Sequence, residues 1–288
     1  MILQREPLEN YLNIFRQAQN GKLAKNLYAN FIESNNISLN QFCINLLEIV
    51  SKLSHTPISK FPVSALVVSS NGNLYFGCNL EIKGAPLNST VHAEQCAINT
   101  ACFHNEKNIS KLFVTHAPCG HCRQFINEIQ LSNNIEIIVN GNKQSFEDLL
   151  PSPFGPKDLN IYKSLLPRER LNFELLKESQ NELHLKALKS LNLAYCPYSN
   201  SHHGISIRLN SGKIYYGIQI ENCAYNPTLS ALHSALCIIM ISNHQFNEIN
   251  EVCYININNS TTEYYSYYKL ILNAINPNIS FERIEAKN

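Results

Sequence analysis

The 288-residue chain has no excess of charge of either sign: 23 Lys and Arg stand against 22 Asp and Glu, for a formal net charge of +1. That balance excludes a whole-molecule electrostatic attraction to a polynucleotide or an anionic membrane, leaving only what a local patch supplies. Long apolar runs are missing as well. Cys237–Ile241 is among the longest, far short of the roughly 20 residues that a membrane span needs. The opening MILQREPLEN carries Glu6 and Glu9 and lacks a basic stretch followed by an apolar one. A secretory leader is therefore not expected, and a soluble cytoplasmic protein is. The termini hold no low-complexity tract. What is present is an apolar fraction of 44%, which excludes wholesale disorder, in a chain long enough for about two domains of ~100–200 residues each.

Ten cysteines are even in number, but a chain of this size builds a core without covalent staples. Most of them, such as Cys96, Cys102, Cys237 and Cys253, lie in apolar segments, where Cys behaves as a small hydrophobe. Only Cys119 and Cys122 form a C-x-x-C at ligand spacing.

The chain contains an internal repeat. Tyr75-Phe76-Gly77-Cys78-Asn79-Leu80-Glu81 lies over Tyr215-Tyr216-Gly217-Ile218-Gln219-Ile220-Glu221, and the same offset of 140 sets Pro57 on Pro197, Ser59 on Ser199 and Gly72 on Gly212. One residue later in register, Val91-His92-Ala93 falls on Leu232-His233-Ser234. The implied division is an N-terminal helical segment 1–47, a first copy 48–150, a linker 151–187 whose stretch 169–189 is helical in composition, and a second copy 188–288. In the first copy, strands are expected at 63–69 and 74–81, joined across Asn71-Gly72. A helix over 90–103 takes Thr90 as its N-cap. A strand over 111–116 follows, then a helix opened by Pro118 and running to about Gln130, and a strand over 135–139. The second copy repeats the pattern, with strands near 204–209, 214–221 and 251–257 and helices near 229–242 and 262–275. This order predicts a layered α/β fold with a mixed sheet.

Two stretches carry chemistry: His92-Ala93-Glu94, and Pro118-Cys119-Gly120-His121-Cys122. H-x-E followed by P-C-x-x-C is the signature of zinc deaminases that act on cytosine or adenine. Zinc favours imidazole and thiolate, and a catalytic zinc keeps one of four positions open. His92, Cys119 and Cys122 supply three ligands, and free N–H groups at a helix start favour deprotonated thiols. Arg123 is a candidate for withdrawing charge from the sulfurs. Residues two apart on a helix point about 200° apart, so His92 and Glu94 share a site only if the helix begins beside the metal. There the Glu94 carboxylate can move protons between water, a ring nitrogen and a leaving amine. Other readings of the same residues remain open. Cys96, four residues after His92, would complete a closed structural Cys₃His site, and a bare C-x-x-C can be a redox pair.

The segments TPISKFPVSA, YFGCNLE, TVHAEQCAI, PCGHCRQF, FGPKDL and ENCAYNPTL together resemble the cytidine deaminases of nucleoside salvage, in particular their two-domain, homodimeric bacterial class. The resemblance implies a three-layer α/β/α cytidine deaminase-like sandwich, duplicated in the chain. It implies hydrolysis of cytidine and deoxycytidine with one zinc ion per chain on His92, Cys119 and Cys122 and with Glu94 as the proton shuttle. It further implies that Asn79 and Glu81 hold the ribose hydroxyls, that Phe61 packs on the pyrimidine, and that backbone groups at Ala93 and Ala117 meet the base edge. Ala224 and Tyr225 would enter the partner subunit's pocket. Ala117 stands where relatives carry Thr, and Tyr225 where they carry Phe. At an offset of 141, Glu94 falls on Ala235, Cys119 on Ser260 and Cys122 on Glu263, leaving His233 as the one survivor. A second copy without a zinc site is the expectation. The partner is then a free pyrimidine nucleoside rather than nucleic acid or membrane. The alternatives are a nucleic-acid-editing cytosine deaminase and a non-catalytic zinc-stabilised interaction module.

Overall fold

The computed structural model describes residues 8–129 and 135–287, so the helix end expected at Gln130 and the opening residues Met1 to Pro7 lie outside the described residues. In the first half α1 (Leu8–Phe15), β1 (Lys22–Leu23), α2 (Ala29–Ser34) and α3 (Leu39–Ser51) lead into β2 (Ser64–Ser69) and β3 (Leu74–Cys78). Then come α4 (Ala93–Phe103), β4 (Ile109–Val114), α5 (Gly120–Asn127), β5 (Glu136–Val139), β6 (Asn142–Gln144) and α6 (Phe146–Leu149). The second half runs β7 (Glu174–Leu175), α7 (Glu182–Asn192), β8 (His203–Leu209), β9 (Ile214–Ile218), α8 (Ala231–Ile241), β10 (Ile249–Ile257), α9 (Tyr265–Ile275) and β11 (Ser280–Lys287). No helix among the described residues is long and apolar enough to cross a membrane.

Two sheets form, in the orders β1-β3-β2-β4-β5-β6 and β7-β11-β10-β8-β9. Both are mixed: β4 pairs parallel with β5 and β10 with β11, while the remaining pairings are antiparallel. Three adjacent strands, β3-β2-β4 and β9-β8-β10, repeat with the register that the sequence repeat predicts. Ser64 faces Cys78 as Gly204 faces Ile218, and Ala65 faces Val114 as Ile205 faces Tyr254. All six residues of β2 are buried, which requires cover on both faces of the sheet, and α3 and α4 both pack against it. The result is a three-layer α/β unit, present twice. α3 and α7 occupy the same place, each ahead of a residue bridged to the end of the hairpin, His55 with Leu80 and Tyr195 with Ile220. The first unit therefore includes a helix that begins at Leu39. Ser38 starts it by accepting from Gln41 N at 3.1 Å.

The units join through α4 and α8. Asn99 Nδ2 donates to Ser234 O at 3.2 Å, and Ser234 Oγ to Asn99 Oδ1 at 2.6 Å. Each of these helices lies almost against its own hairpin, and a glycine permits it. A Cβ on Gly77 would sit 2.1 Å from Ala97 N, and one on Gly217 2.1 Å from Ala235 N.

Several sequence expectations are corrected. Thr90 is not the N-cap of α4; His92 is, with φ −87° and ψ 159°. The cause is the antiparallel bridge of Leu80 and Val91, whose reciprocal N–H···O bonds of 2.9 Å keep residue 91 extended. α5 likewise begins after Cys119, its N-cap, and Pro118 precedes it. Over 169–189, helix starts only at Glu182, where Asn181 Oδ1 accepts from Leu183 N. Before it, β7 adds an edge strand to the second sheet. The N-terminal segment also contributes a strand, β1, on the edge of the first sheet. The register expected for the second copy fails at α8. Ala231 and Ala235 meet Gly217 as Ala93 and Ala97 meet Gly77, so Ser230, not His233, stands in the place of His92. The connection from Ile220 to Leu229 is two residues shorter than that from Leu80 to Val91.

Candidate active site

Because α4 and α5 both start at this end of the first sheet, their capping residues meet. His92 Nδ1 lies 3.4 Å from Cys119 Sγ and 3.3 Å from Cys122 Sγ, and the sulfurs are 3.7 Å apart. Tetrahedral zinc, with bonds of about 2.3 Å to sulfur and 2.0–2.1 Å to nitrogen, needs ligand atoms roughly 3.5–3.8 Å apart. The three residues fit that ion. Among the described residues, the His, Cys, Asp and Glu ligand atoms within 4.8 Å of one another here are those of His92, Cys119 and Cys122 alone. Cys96 does not join them. It is fully buried, and its neighbours are the thiols of Cys78 and Cys237. This geometry contradicts the closed Cys₃His reading. The α4 rotation that places Glu94 near the cluster carries Cys96 into the core.

Before any metal is considered, the site already favours one thiolate. The Cys119 thiol is lowered to about 3, first by the hydrogen bond from Cys122 and then by His92. That same bond, with burial, pushes Cys122 up. His92 is raised by its bond to Cys119. Glu94, 4% exposed, is raised by burial, and a hydrogen bond with Cys122 pulls the other way. A carboxyl beside the ligands and out of bulk water is suited to holding and releasing a proton. Arg123 does not reach the sulfurs by any hydrogen bond described: its Nε donates to Pro118 O at 2.8 Å and its Nη1 to Leu149 O at 2.7 Å, tying down the loop that precedes Cys119.

Asn79 and Glu81 follow the end of β3. Asn79 Oδ1 accepts from Val63 N at 2.8 Å and its Nδ2 donates to Phe61 O at 2.9 Å, so this amide shapes the 61–63 loop. Glu81 Oε2 accepts from Ile58 N at 2.9 Å and Ser59 N at 3.0 Å. Burial raises the Glu81 carboxyl, but the Ser59 and Ile58 donors and His55 outweigh it, and the group sits below its ordinary range. Phe61 is 52% exposed and packs its ring against His116 at 4.7 Å. Ala93 is buried in the first turn of α4, whereas Ala117 is exposed ahead of α5. Ala224 and Tyr225 are exposed on a loop of the second unit. That loop lies against α5 of the same chain, where Asn226 O meets His121 Nε2 at 3.0 Å.

Sequence reasoning did not single out His116, His121, Gln95 or Glu128. His121 had a signal, its place inside C-G-H-C. Gln95 had one too, as an amide three residues after the cap: its Oε1 accepts from His92 N at 3.3 Å and its Nε2 donates to Pro227 O at 3.1 Å. In the second unit Ser230 caps α8 where His92 caps α4, and Leu232 replaces Glu94. Tyr264 and Tyr267 take the helix positions of Cys119 and Cys122. His233 is therefore not a surviving ligand. It stands where Gln95 does, with Nδ1 2.8 Å from Ser230 Oγ. The loop held by the Glu81 carboxylate has its counterpart nonetheless: Glu221 Oε2 accepts from Tyr198 N and Ser199 N at 3.0 and 3.2 Å. A second His–Cys–Glu group, His184, Cys253 and Glu282, has both imidazole nitrogens bonded, to Ser179 Oγ and Glu282 Oε1.

Comparison with known proteins matches the chain twice to the family described as the cytidine and deoxycytidylate deaminase zinc-binding region, over residues 38–137 and 146–267. It is 38% identical over 213 residues to a cytidine deaminase of Haemophilus influenzae (strain 86-028NP), covering 74% of this chain and 72% of that one. It is 34% identical over 258 residues to a cytidine deaminase of Vibrio atlanticus (strain LGP32), covering 89% and 87%. Among solved structures, a cytidine deaminase from Burkholderia pseudomallei matches with 25% identity and a TM-score of 0.37, over 41% of this chain and 100% of that one.

Proposed function

The chain belongs to the cytidine and deoxycytidylate deaminase family, and from that premise we propose that it hydrolyses cytidine and deoxycytidine to uridine and deoxyuridine, releasing ammonia, in pyrimidine salvage. The observation that carries this reading is the meeting of three zinc-compatible ligand atoms, 3.3–3.7 Å apart, at two helix starts, with the buried Glu94 beside them.

His92, Cys119 and Cys122 would hold zinc, which when bound supplies the Lewis acidity that makes water nucleophilic near neutral pH. Glu94 accepts a proton from the attacking water and passes it to N3 of the pyrimidine as oxygen adds to C4. It then takes the remaining proton from the new C4 hydroxyl and delivers it to the departing amine as the C4 carbonyl forms and the C4–N bond breaks. Water and cytidine thus give uridine and ammonia, and Glu94 returns to its starting state. Its burial favours the protonated form that the middle of this cycle needs. Glu81, kept ionised, accepts from a ribose hydroxyl, and Asn79 serves the sugar while fixing the Phe61 loop. Phe61 covers the base, and backbone groups at Ala93 and Ala117 meet its edge. A carboxylate at the sugar favours a free nucleoside over a phosphate-bearing chain.

The active form is a cytoplasmic homodimer in which Ala224 and Tyr225 reach the partner subunit's pocket. The division expected from sequence, 1–47, 48–150, 151–187 and 188–288, is moved to the starts of α3 and α7, giving units from Leu39 and from Glu182, the second without zinc chemistry. The test is to offer cytidine, CMP and a cytosine-containing oligonucleotide to the purified enzyme. Turnover of cytidine far above the other two supports the proposal, and preference for the oligonucleotide refutes it.

A further inference from the structure

Directly after α5, at the opposite end from Cys119 and Cys122, Glu128 is 0% exposed. Its carboxylate receives three neutral donors, and all come from the second unit: Tyr195 Oη at 2.8 Å, Tyr198 Oη, and Cys223 N at 3.1 Å. Burial pushes this carboxyl up, and the Tyr198 and Cys223 donors oppose that. A buried acid is a costly way to fill space, and an apolar side chain of similar volume packs as well or better. What Glu128 adds is direction, since three donors converge on it from two separate segments.

From Cys223 the loop runs back along α5 toward the metal end. Asn222 Nδ2 donates to Gln124 O at 3.0 Å, Gln124 Nε2 to Cys223 Sγ at 3.2 Å, and His121 Nε2 meets Asn226 O at 3.0 Å. Residues 121, 124 and 128 share one helical face, so the loop is laid along that face from Glu128 to the turn between the two cysteines. At its crest Tyr225 adopts φ +61°, a conformation that a bulky residue keeps only when its surroundings hold it. Its ring is 65% exposed and stands 6.4 Å from the ring of Tyr198, the residue whose hydroxyl also binds Glu128.

We propose that Glu128 is a positioning residue for deamination: it anchors the Asn222–Asn226 loop and Tyr198 against α5 and so fixes where Tyr225 is presented to the nucleoside pocket of the partner subunit in the proposed homodimer. The inference rests on the deaminase reading above and adds to it a buried acid, in the catalytic unit, through which the second unit acts on substrate binding.

The experiment uses the full-length, zinc-loaded enzyme with Glu128→Gln, Tyr198→Phe, Tyr225→Ala and the double variant Glu128→Gln/Tyr225→Ala. Glutamine keeps the shape but turns one acceptor into a donor facing a donor. We expect Glu128→Gln to raise KM for cytidine about tenfold, the scale of a lost buried hydrogen bond, with kcat changed less than about threefold and zinc content unchanged. Tyr198→Phe, which keeps the ring and removes one donor, raises KM by a smaller factor and stands in if Glu128→Gln does not fold. Since Glu128 acts through the loop, the double variant has the KM of the worse single variant rather than the product of the two effects. Amide exchange at Cys223 and Tyr225 quickens in Glu128→Gln. Multiplying KM effects, unchanged exchange, or a wild-type KM in both Glu128→Gln and Tyr198→Phe overturns the proposal. A wild-type enzyme that does not turn over cytidine overturns the deaminase reading itself, and only that outcome does.

Discussion

Replacing Gly77 by alanine tests whether the chemistry depends on how closely α4 lies on its hairpin. A Cβ at this position would stand 2.1 Å from Ala97 N, 2.4 Å from Ala93 O and 2.7 Å from Ala97 Cα. All three are backbone atoms, so no side chain can swing aside, and relief requires α4 to move off β3 by about 1 Å. Overpacking of this kind costs typically 1–3 kcal/mol, and the absence of any flexible neighbour places Gly77→Ala at the upper end, about 3 kcal/mol. For a chain of 288 residues that lowers the melting temperature by roughly 5 °C. Gly217→Ala is the matched control. Its Cβ would meet Ala235 N at 2.1 Å and Ala231 O at 2.2 Å, but the helix it displaces starts with Ser230. Both variants should lose similar stability, whereas only Gly77→Ala moves His92 and Glu94, and ligand geometry tolerates only about 0.5 Å. Calorimetry together with zinc release to a chelator reads both effects. Equal zinc release from the two variants, or a wild-type melting temperature in Gly77→Ala, refutes the reasoning.

Other outcomes follow from the same geometry. Glu94→Gln should keep zinc and fold while kcat falls by at least about 10²–10⁴-fold; steady-state kinetics on a metal-analysed sample checks it. Cys96→Ala should leave the zinc content unchanged, because that thiol faces Cys78 and Cys237; loss of the metal from this variant would restore the closed-site reading. His203 is fully buried and lowered by burial to about 4, its ring bonded to Tyr254 Oη at 2.6 Å and Thr262 Oγ1 at 2.9 Å. A histidine kept neutral in the fold contributes stability that is present above its unfolded value of about 6.5 and is lost as pH falls from there through 4. At about 1.36 kcal/mol per pKa unit, a fall from 6.5 to about 4 makes the loss on the order of 3 kcal/mol, and His203→Gln should flatten that acid limb in urea titrations at pH 4–7.

The candidate metal ligands were legible because their spacing is local: a C-x-x-C at a helix start and an H-x-E at another are both short motifs. The duplication was legible too, and the strand registers repeat as the heptapeptides require. What escaped depends on contacts distant in sequence. Val91 is held extended by Leu80 across a loop, which moves the α4 cap from Thr90 to His92. The shorter loop after Ile220 shifts α8 in register, and no motif marks the lost residues. β11 has the sequence SFERIEAK, whose charged residues conceal a strand that parallel pairing with β10 creates. Asn79 was expected as a sugar contact alone, and what the structure describes is an amide that shapes the loop carrying Phe61. Glu128 offered no signal, because its three donors lie 67, 70 and 95 residues away along the chain.

The most direct measurement follows cytidine conversion and metal content on one purified sample. One zinc per chain, with ammonia and uridine formed in equal amounts and both abolished on chelation, is the predicted result. A fully metallated enzyme that leaves cytidine intact, or undiminished turnover after His92, Cys119 and Cys122 are all replaced, would contradict it.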